Sequence, residues 1–512
     1  MSKATTAAPV EVGRRGSSDW TKLGVGRRAR IGRAVRAERL FLGWVGVGLV
    51  VRLILARSAG GGIQADEASG MLMAARAAHG QFFALFWGAN YGGTLVTWLE
   101  APFLRLFGLD VTVFRVFDIA LTLVAVVLLR LIAGRLISRR AAVAAAVLLW
   151  VFPPGWVYWS NHEFIWWVPG LCVALGVVLC CLRWHERPED RRLWPIGLLV
   201  GVSFWLYPLL GVLVAPGVLA VMWLLRRRPV GLVKLGLLIP VGAAPWIYAT
   251  LAHHFATLHY PPTTATSFPD RTVHAVTEAL PATFLELTGV RLSASTLTVT
   301  GLVIAGWAVV WIGYQLRRRH VLLAMVGVPV LTWPFLLAAS KVLVAPTTFR
   351  YGFVVLPALC IMAAAAADRI RLSAVLPLAA AATTVIGTAQ VTNDFAAAPA
   401  WDPGLAHVAT YLTAHQRTHV YAGYWISYVL SVASGERITA TPTGTTRDAQ
   451  YARLAAAAPN TTFVVYAGLS LDQQITAFSR SHLPGRRVTV GGYAIWEFPT
   501  NMRDMVYLAG DF

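Results

Sequence analysis

Long apolar windows, separated by short arginine clusters, fill the first three-quarters of the chain. They lie near 40–57, 113–133, 141–157, 164–182, 195–209, 210–225, 235–252, 296–316, 321–339, 350–367 and 372–390. Apolar runs of about 18–22 residues match the thickness of a bilayer, so the pattern predicts about eleven transmembrane helices. Pro208 and Pro216 interrupt the 195–225 run, which reads as a tight hairpin between two spans. After Val391 the pattern becomes that of a soluble domain. Helix-period stretches near 404–416, 424–434, 446–458 and 470–481 alternate with candidate strands at 418–422, 437–441, 462–467, 486–490 and 493–498. Such alternation predicts a small α/β layer.

Composition supports a polytopic membrane protein: 57% of residues are hydrophobic and 13% charged, which excludes a soluble cytoplasmic enzyme, a disordered chain and a disulfide-stapled module. The net charge of +20 does not point to nucleic acid, because the basic residues sit between apolar spans and not on one face. They read as topology signals. If the arm carrying Arg27, Arg28, Arg30, Arg33, Arg36 and Arg39 is cytoplasmic, every second loop should be basic. Those loops hold Arg135, Arg139 and Arg140; Arg183, Arg187, Arg191 and Arg192; Arg226, Arg227, Arg228 and Lys234; Arg317, Arg318 and Arg319; and Arg369 and Arg371. The expected organisation is therefore a disordered basic cytoplasmic arm over 1–39 without a cleavable leader, a transmembrane domain over 40–390, and an extracytoplasmic α/β domain over 391–512. This places the chain in the plasma membrane. Cys172, Cys180, Cys181 and Cys360 fall within or beside apolar spans and read as small buried hydrophobes.

On the face opposite the arginines lie loops 58–112 and 253–295, two short turns and the C-terminal domain, so candidate chemistry belongs there. Directly after the first span stand Asp66 and Glu67 at a helix start. Acidic residues there also serve as caps. An aromatic, glycine-rich segment follows, Phe82 through Thr94 with Trp87 and Tyr91, and then an amphipathic stretch through Trp98, Phe103 and Phe107 suited to the membrane interface. Arg115 and Asp118, spaced i, i+3, are expected to pair with each other. Tyr421, Tyr424, Trp425 and Tyr428 read as packing, with sugar stacking as the alternative.

A first span, an outward Asp-Glu pair at a helix start and an amphipathic interfacial loop resemble the GT-C superfamily of polyprenyl-phosphate-sugar-dependent glycosyltransferases, such as protein O-mannosyltransferases and aminoarabinose transferases. Glu163, the Phe349-Arg350-Tyr351 run ahead of Pro357, and the outward C-terminal domain agree with it. The Ala, Val and Arg-rich composition is similar to that of actinobacterial membrane mannosyltransferases. The resemblance implies a polyprenyl-phosphate-sugar lipid donor, mannose as its sugar, and an acceptor glycan, protein or secreted small molecule. It also implies Glu163 as a second acidic group. One departure is Tyr91-Gly92-Gly93, where aminoarabinose transferases imply a lysine and proline segment.

The chemistry has its own logic. A sugar on a lipid phosphate already carries its leaving group, so the protein must orient an acceptor, remove its proton and steady the phosphate. A carboxylate opposite the leaving group gives inversion in one displacement, and Asp66 is the candidate base, with Glu67 orienting it or the acceptor. Arginine suits phosphate oxygens. Arg350 lies where the positive-inside rule gives no reason for a cation, so it is the phosphate candidate with Tyr351 beside it. Trp87, Tyr91, His162 and Lys341 are candidate substrate contacts, and Arg52 and Arg57 are reserve cations. His253, His254, His259, Asp270 and His274 fit no standard metal spacing; no cofactor is required, and a divalent ion is compatible with the resemblance. Rival classes are a transporter or lipid flippase, which would need ionisable groups or broken helices near the midplane, and a non-catalytic scaffold.

Overall fold

The computed structural model describes residues 18–57, 63–89, 91–162, 166–258, 266–281, 293–340, 346–385, 404–444 and 446–502. Among them, seven helices are long and apolar enough to cross a membrane: Val35–Ala56, Val111–Leu136, Trp167–Glu186, Pro208–Leu225, Ser295–Arg317, Val321–Ala339 and Tyr351–Arg369. Pro229–Gly242 and Ala244–Ala252, bent by 57°, make an eighth if they form one span.

The expectation of about eleven spans is corrected in number rather than in place. Helices occupy the remaining three windows but are too short to qualify: Arg139–Val151 with 13 residues, Leu193–Leu206 with 14, and the shorter Leu376–Val385. Breaks at Phe152-Pro153 and Tyr207-Pro208 cut the first two, since proline lacks an amide donor and restrains the residue before it. The first helix, α1, runs from Ser18 to Arg57. Good helix formers such as Ala, Arg and Leu dominate that stretch.

Around the candidate loop, α2 (Ala65–Ala78) and α3 (Leu95–Phe107) precede the spanning helix α4 (Val111–Leu136). Helix α5 (Arg139–Val151) is capped by Ser138, whose hydroxyl accepts from the amide of Ala141 at 3.2 Å. From Ala141 to Val151 it is buried all round, as befits a central helix. A short α6 (Pro154–Trp159), the spanning α7 (Trp167–Glu186) and α8 (Leu193–Leu206) follow. Helix α8 lies against Pro229–Gly242 through glycines: a Cβ on Gly201 would stand 2.0 Å from the Ile239 carbonyl oxygen, and one on Gly242 2.0 Å from that of Leu198. Small residues allow such backbone approach in membrane bundles.

The C-terminal unit follows the alternation read from the sequence. Its strands are β1 (His419–Ala422), β2 (Thr439–Pro442), β3 (Thr461–Tyr466), β4 (Arg486–Val490) and β5 (Tyr493–Phe498), arranged β2-β1-β3-β5-β4. The first three are parallel and the β5 and β4 pairings antiparallel. Helices Gly404–Ala414, Tyr424–Ala433, Ala449–Ala457 and Ser470–Ser481 complete the layer. One apolar cluster joins this unit to the membrane part: Ala68, Met71 and Leu72 of α2 and Phe86 of its loop pack with Ile426, Tyr428 and Val429. Burial of such surface contributes about 25 cal/mol per Å², so the C-terminal layer is held over α2.

Candidate active site

Helix α2 begins after Gln64, and Glu67 in its first turn accepts from the Gln64 amide at 3.4 Å, as in a capping box. That carboxylate does more than cap. Oε1 and Oε2 of Glu67 accept from Nε and Nη2 of Arg115 at 2.7 and 3.0 Å, and Arg115 Nη1 donates to the Ala56 carbonyl at 2.9 Å. Both residues are 1% exposed. The forked pair locks α2 to α4 and to the end of α1, which corrects two expectations: Arg115 spends its fork on Glu67 rather than Asp118, and Glu67 faces inward.

Asp66, one position earlier, lies about 100° around the helix and turns toward the C-terminal unit. Its Oδ1 accepts from Arg447 Nη2 at 2.6 Å and from the Tyr424 hydroxyl at 3.1 Å. Oδ2 has no protein partner among the described residues, and the side chain keeps 26% exposure. A carboxylate oriented through one oxygen and open at the other is arranged to accept a proton.

Arg447 is itself held in place. Its backbone amide donates to the Tyr428 hydroxyl at 2.7 Å, and its guanidinium lies 4.9 Å from the Phe86 ring centroid and 5.2 Å from that of Tyr424. Arg447 and the Tyr424 hydroxyl are also hydrogen-bonded. Gly88, at φ +68°, makes room: a Cβ there would lie 2.9 Å from Arg447 Cγ. The adjacent Asp448 caps Ala449–Ala457 and pairs with Arg76 on α2 at 2.5 Å. Two ion pairs of opposite sense therefore fasten neighbouring residues of the C-terminal unit to the two ends of α2. Of the expected aromatic run, Tyr421 and Tyr428 are buried packing, Trp425 is 51% exposed, and Tyr424 reaches the carboxylate.

From this corner an aromatic wall extends into the bundle. Phe86 meets Trp166 at 5.4 Å, Tyr91 meets Trp166 at 5.7 Å and Tyr207 at 6.1 Å, and Tyr207 meets Tyr351 at 6.4 Å between centroids. A relay of ring contacts thus links Tyr91 and Tyr351 to the Asp66 corner through Phe86 and Arg447. Trp87 does not lie on it but stacks under Arg76 at 4.5 Å. His162 is buried, stacked on Tyr158 at 4.1 Å, with Nδ1 facing the Tyr158 carbonyl at 2.9 Å. Burial, and then the charge of Arg115, hold its imidazole well below the ordinary value, hence neutral.

Arg52, expected as a reserve cation, is fully buried. It donates to Ser160 Oγ at 2.7 Å, Asn161 Oδ1 at 2.6 Å and the Trp150 carbonyl at 3.0 Å. It therefore shapes the turn leading to Glu163. Glu163, Lys341 and His259 lie outside the described residues, as does the side chain of Arg350, whose backbone belongs to the 3-10 stretch Pro346–Val355. Among the described residues no group of three or more His, Cys, Asp or Glu is placed to hold a metal ion.

Sequence reasoning missed Arg447, Arg76 with Asp448, and Glu100. Glu100 in α3 is 1% exposed with both carboxyl oxygens unpartnered among the described residues. Burial, and then nearby Asp118, push its carboxyl well above the usual range.

Comparison with known proteins bears on this arrangement. The family model described as dolichyl-phosphate-mannose-protein mannosyltransferase matches residues 93–248. ArnT from Cupriavidus metallidurans in the apo state is 14% identical with a TM-score of 0.60, over 91% of this chain and 99% of that one. The same protein bound to undecaprenyl phosphate is 13% identical with a TM-score of 0.59, over 89% and 98%. The apo oligosaccharyltransferase of Archaeoglobus fulgidus is 13% identical with a TM-score of 0.50, over 83% and 69%. No curated protein matches the chain in sequence. The class defined is a multi-pass helical membrane protein with a mixed α/β C-terminal unit. Within that class the architecture is ArnT-like.

Proposed function

We propose that the chain is a membrane glycosyltransferase that takes a sugar, mannose in this reading, from a polyprenyl phosphate and transfers it with inversion to an acceptor hydroxyl on the extracytoplasmic face. The observation that carries this reading is Asp66: a carboxylate at the mouth of an ArnT-like bundle, fixed through Oδ1 and open at Oδ2. Support for the donor class comes from the mannosyltransferase family match and from the relative bound to undecaprenyl phosphate.

In this mechanism Asp66 accepts the acceptor's hydroxyl proton as its oxygen attacks the anomeric carbon, and the lipid phosphate leaves from the opposite face. Arg350 steadies that phosphate, with Tyr351 as a hydroxyl donor. Glu163 enters from the turn that Arg52 shapes, Lys341 is a further cation, and Tyr91 supplies a wall of the pocket, while Trp87 under Arg76 and His162 against Tyr158 act behind it. Glu67 holds α2 in place through Arg115 instead of touching substrate. The basic loops face the cytoplasm and the C-terminal unit lies outside.

Arg447 is a positioning residue in this scheme. Arg447→Ala is expected to lower turnover by about 10²-fold, since small displacements of a reacting group cost on that order, with KM for the lipid donor little changed. Steady-state kinetics on the purified variant check this; a matching loss in donor KM would move Arg447 to the donor site. The function itself is tested by incubating nanodisc-embedded protein with polyprenyl-phosphate mannose, glucose and aminoarabinose and a mixture of envelope acceptors, then determining the anomeric configuration of any product. The expected result is transfer from the mannosyl donor with inversion. Retention would overturn the single displacement, and transfer only from another donor would overturn mannose. Substrate flux into vesicles without bond cleavage would favour a transporter.

A further inference from the structure

Arginines at the basic end of the bundle differ in how they are neutralised. Arg130 and Arg139 share Glu38 at 2.6 and 3.2 Å, Arg191 pairs with Glu189 at 2.5 Å, and Lys234 pairs with Asp190 at 2.7 Å. Arg183 and Arg187, on the last turn of α7 and just beyond it, have no carboxylate within 4.0 Å among the described residues. They line an open cavity of about 460 Å³ together with Arg135 from α4, Arg192 ahead of α8, and Glu186. Glu186 is already engaged by Arg135 at 3.1 Å, and Arg192 is shared with Glu189 at 3.3 Å. Four guanidinium groups thus meet two carboxylates, Glu186 and Glu189, in a concave site, more than the positive-inside rule asks of a loop, which needs charge but no cavity.

The surroundings of the cavity are those of a bilayer surface. Its floor includes Cys180 and Pro195, and α4 and α7 both qualify as spans. Along α4, Val124, Val127 and Leu131 are 47%, 40% and 37% exposed. With Arg135 they recur at i, i+3, i+7 and i+11, one continuous helical face. An apolar stripe therefore runs from the lipid-exposed surface straight to the guanidinium cluster. A soluble anion would use the charges but not the stripe; a phospholipid uses both, with its phosphate at the arginine forks and an acyl chain along α4.

We propose that this cavity binds the phosphate-bearing headgroup of an anionic phospholipid at the arginine-rich end of the bundle, with Arg183 and Arg187 as the primary contacts. The site is remote from Asp66 and does not depend on the proposed reaction. It is tested by the thermal unfolding midpoint of the detergent-purified full chain with added phosphatidylglycerol, phosphatidylcholine or sodium phosphate. Phosphatidylglycerol is expected to raise the midpoint by several degrees while the other two leave it unchanged. The Arg183→Gln/Arg187→Gln double variant should lose that rise, and Arg318→Gln/Arg319→Gln, which alters a basic turn outside the cavity, should retain it. Equal stabilisation by phosphatidylcholine, or retention of the rise in the Arg183/Arg187 variant, would overturn the site. Equal stabilisation by sodium phosphate would overturn a lipid as its occupant. If neither double variant folds, direct detection of retained phosphatidylglycerol on wild-type protein by native mass spectrometry, against equal phosphatidylcholine, decides with the same signs.

Discussion

Asp66→Asn is expected to reduce transfer by about 10²–10⁴-fold, the contribution of a positioned general base, while leaving insertion and folding intact. Asparagine is isosteric and keeps an oxygen for the bonds that Arg447 Nη2 and the Tyr424 hydroxyl make at 2.6 and 3.1 Å. The amide nitrogen then occupies the position of the open Oδ2 and presents hydrogens where the acceptor needs a lone pair. Because the pair keeps partial exposure, 18% for Arg447 and 26% for Asp66, losing the charge costs less than breaking a fully buried pair. Initial rates of sugar transfer, measured beside the unfolding midpoint, separate the two effects. Near-normal turnover would remove Asp66 from the role of base.

Arg115→Ala carries the largest expected effect on stability. It strands the Glu67 carboxylate, 1% exposed, without its counter-charge and leaves the Ala56 carbonyl without that donor. Breaking a buried pair from one side costs about 3–5 kcal/mol. Glu67→Ala should be similarly harmful for the mirrored reason. Replacing both residues by apolar groups of similar volume should recover much of the loss, since the unpaired charge, not the missing bridge, is the main penalty. Denaturation midpoints of the two single variants and the double variant in one detergent check this. A double variant as unstable as the singles would contradict the stranded-charge penalty, and a Glu67→Gln variant of full stability but dead in transfer would return Glu67 to the reacting centre.

Much of the architecture was readable because bilayers and strands impose strict periods. Every apolar window holds a helix, and the C-terminal strands fall within a few residues of their predicted places, for example β5 at Tyr493–Phe498 against 493–498. Span number was less readable, since mean hydropathy over the 141–157 window does not register that Pro153 ends α5 after 13 residues. At the site, the Asp-Glu pair stood out by position, but its division of labour did not. Adjacent residues on a helix point about 100° apart, and only the partners reveal that Glu67 meets Arg115 while Asp66 meets the C-terminal unit. Arg447 is 381 residues from Asp66 in sequence, beyond any local spacing rule. Arg52 shows the converse: a cation near a span's end looked available for phosphate, yet Ser160, Asn161 and backbone carbonyls take up its Nη1 and Nη2.

The C-terminal unit also acquires a role that composition did not suggest. Arg447 and Asp448 join it to α2 by ion pairs with Asp66 and Arg76, so it covers the acidic corner and sets the direction of its carboxylate.

The most direct measurement is the release of label from radiolabelled polyprenyl-phosphate mannose by purified wild-type protein in nanodiscs, with and without added envelope acceptors. The expected result is loss of label from the lipid and its appearance on an acceptor, in proportion to protein. Label that stays on the lipid under saturating donor, with donor binding demonstrated and every acceptor class supplied, would contradict a polyprenyl-phosphate-dependent transferase.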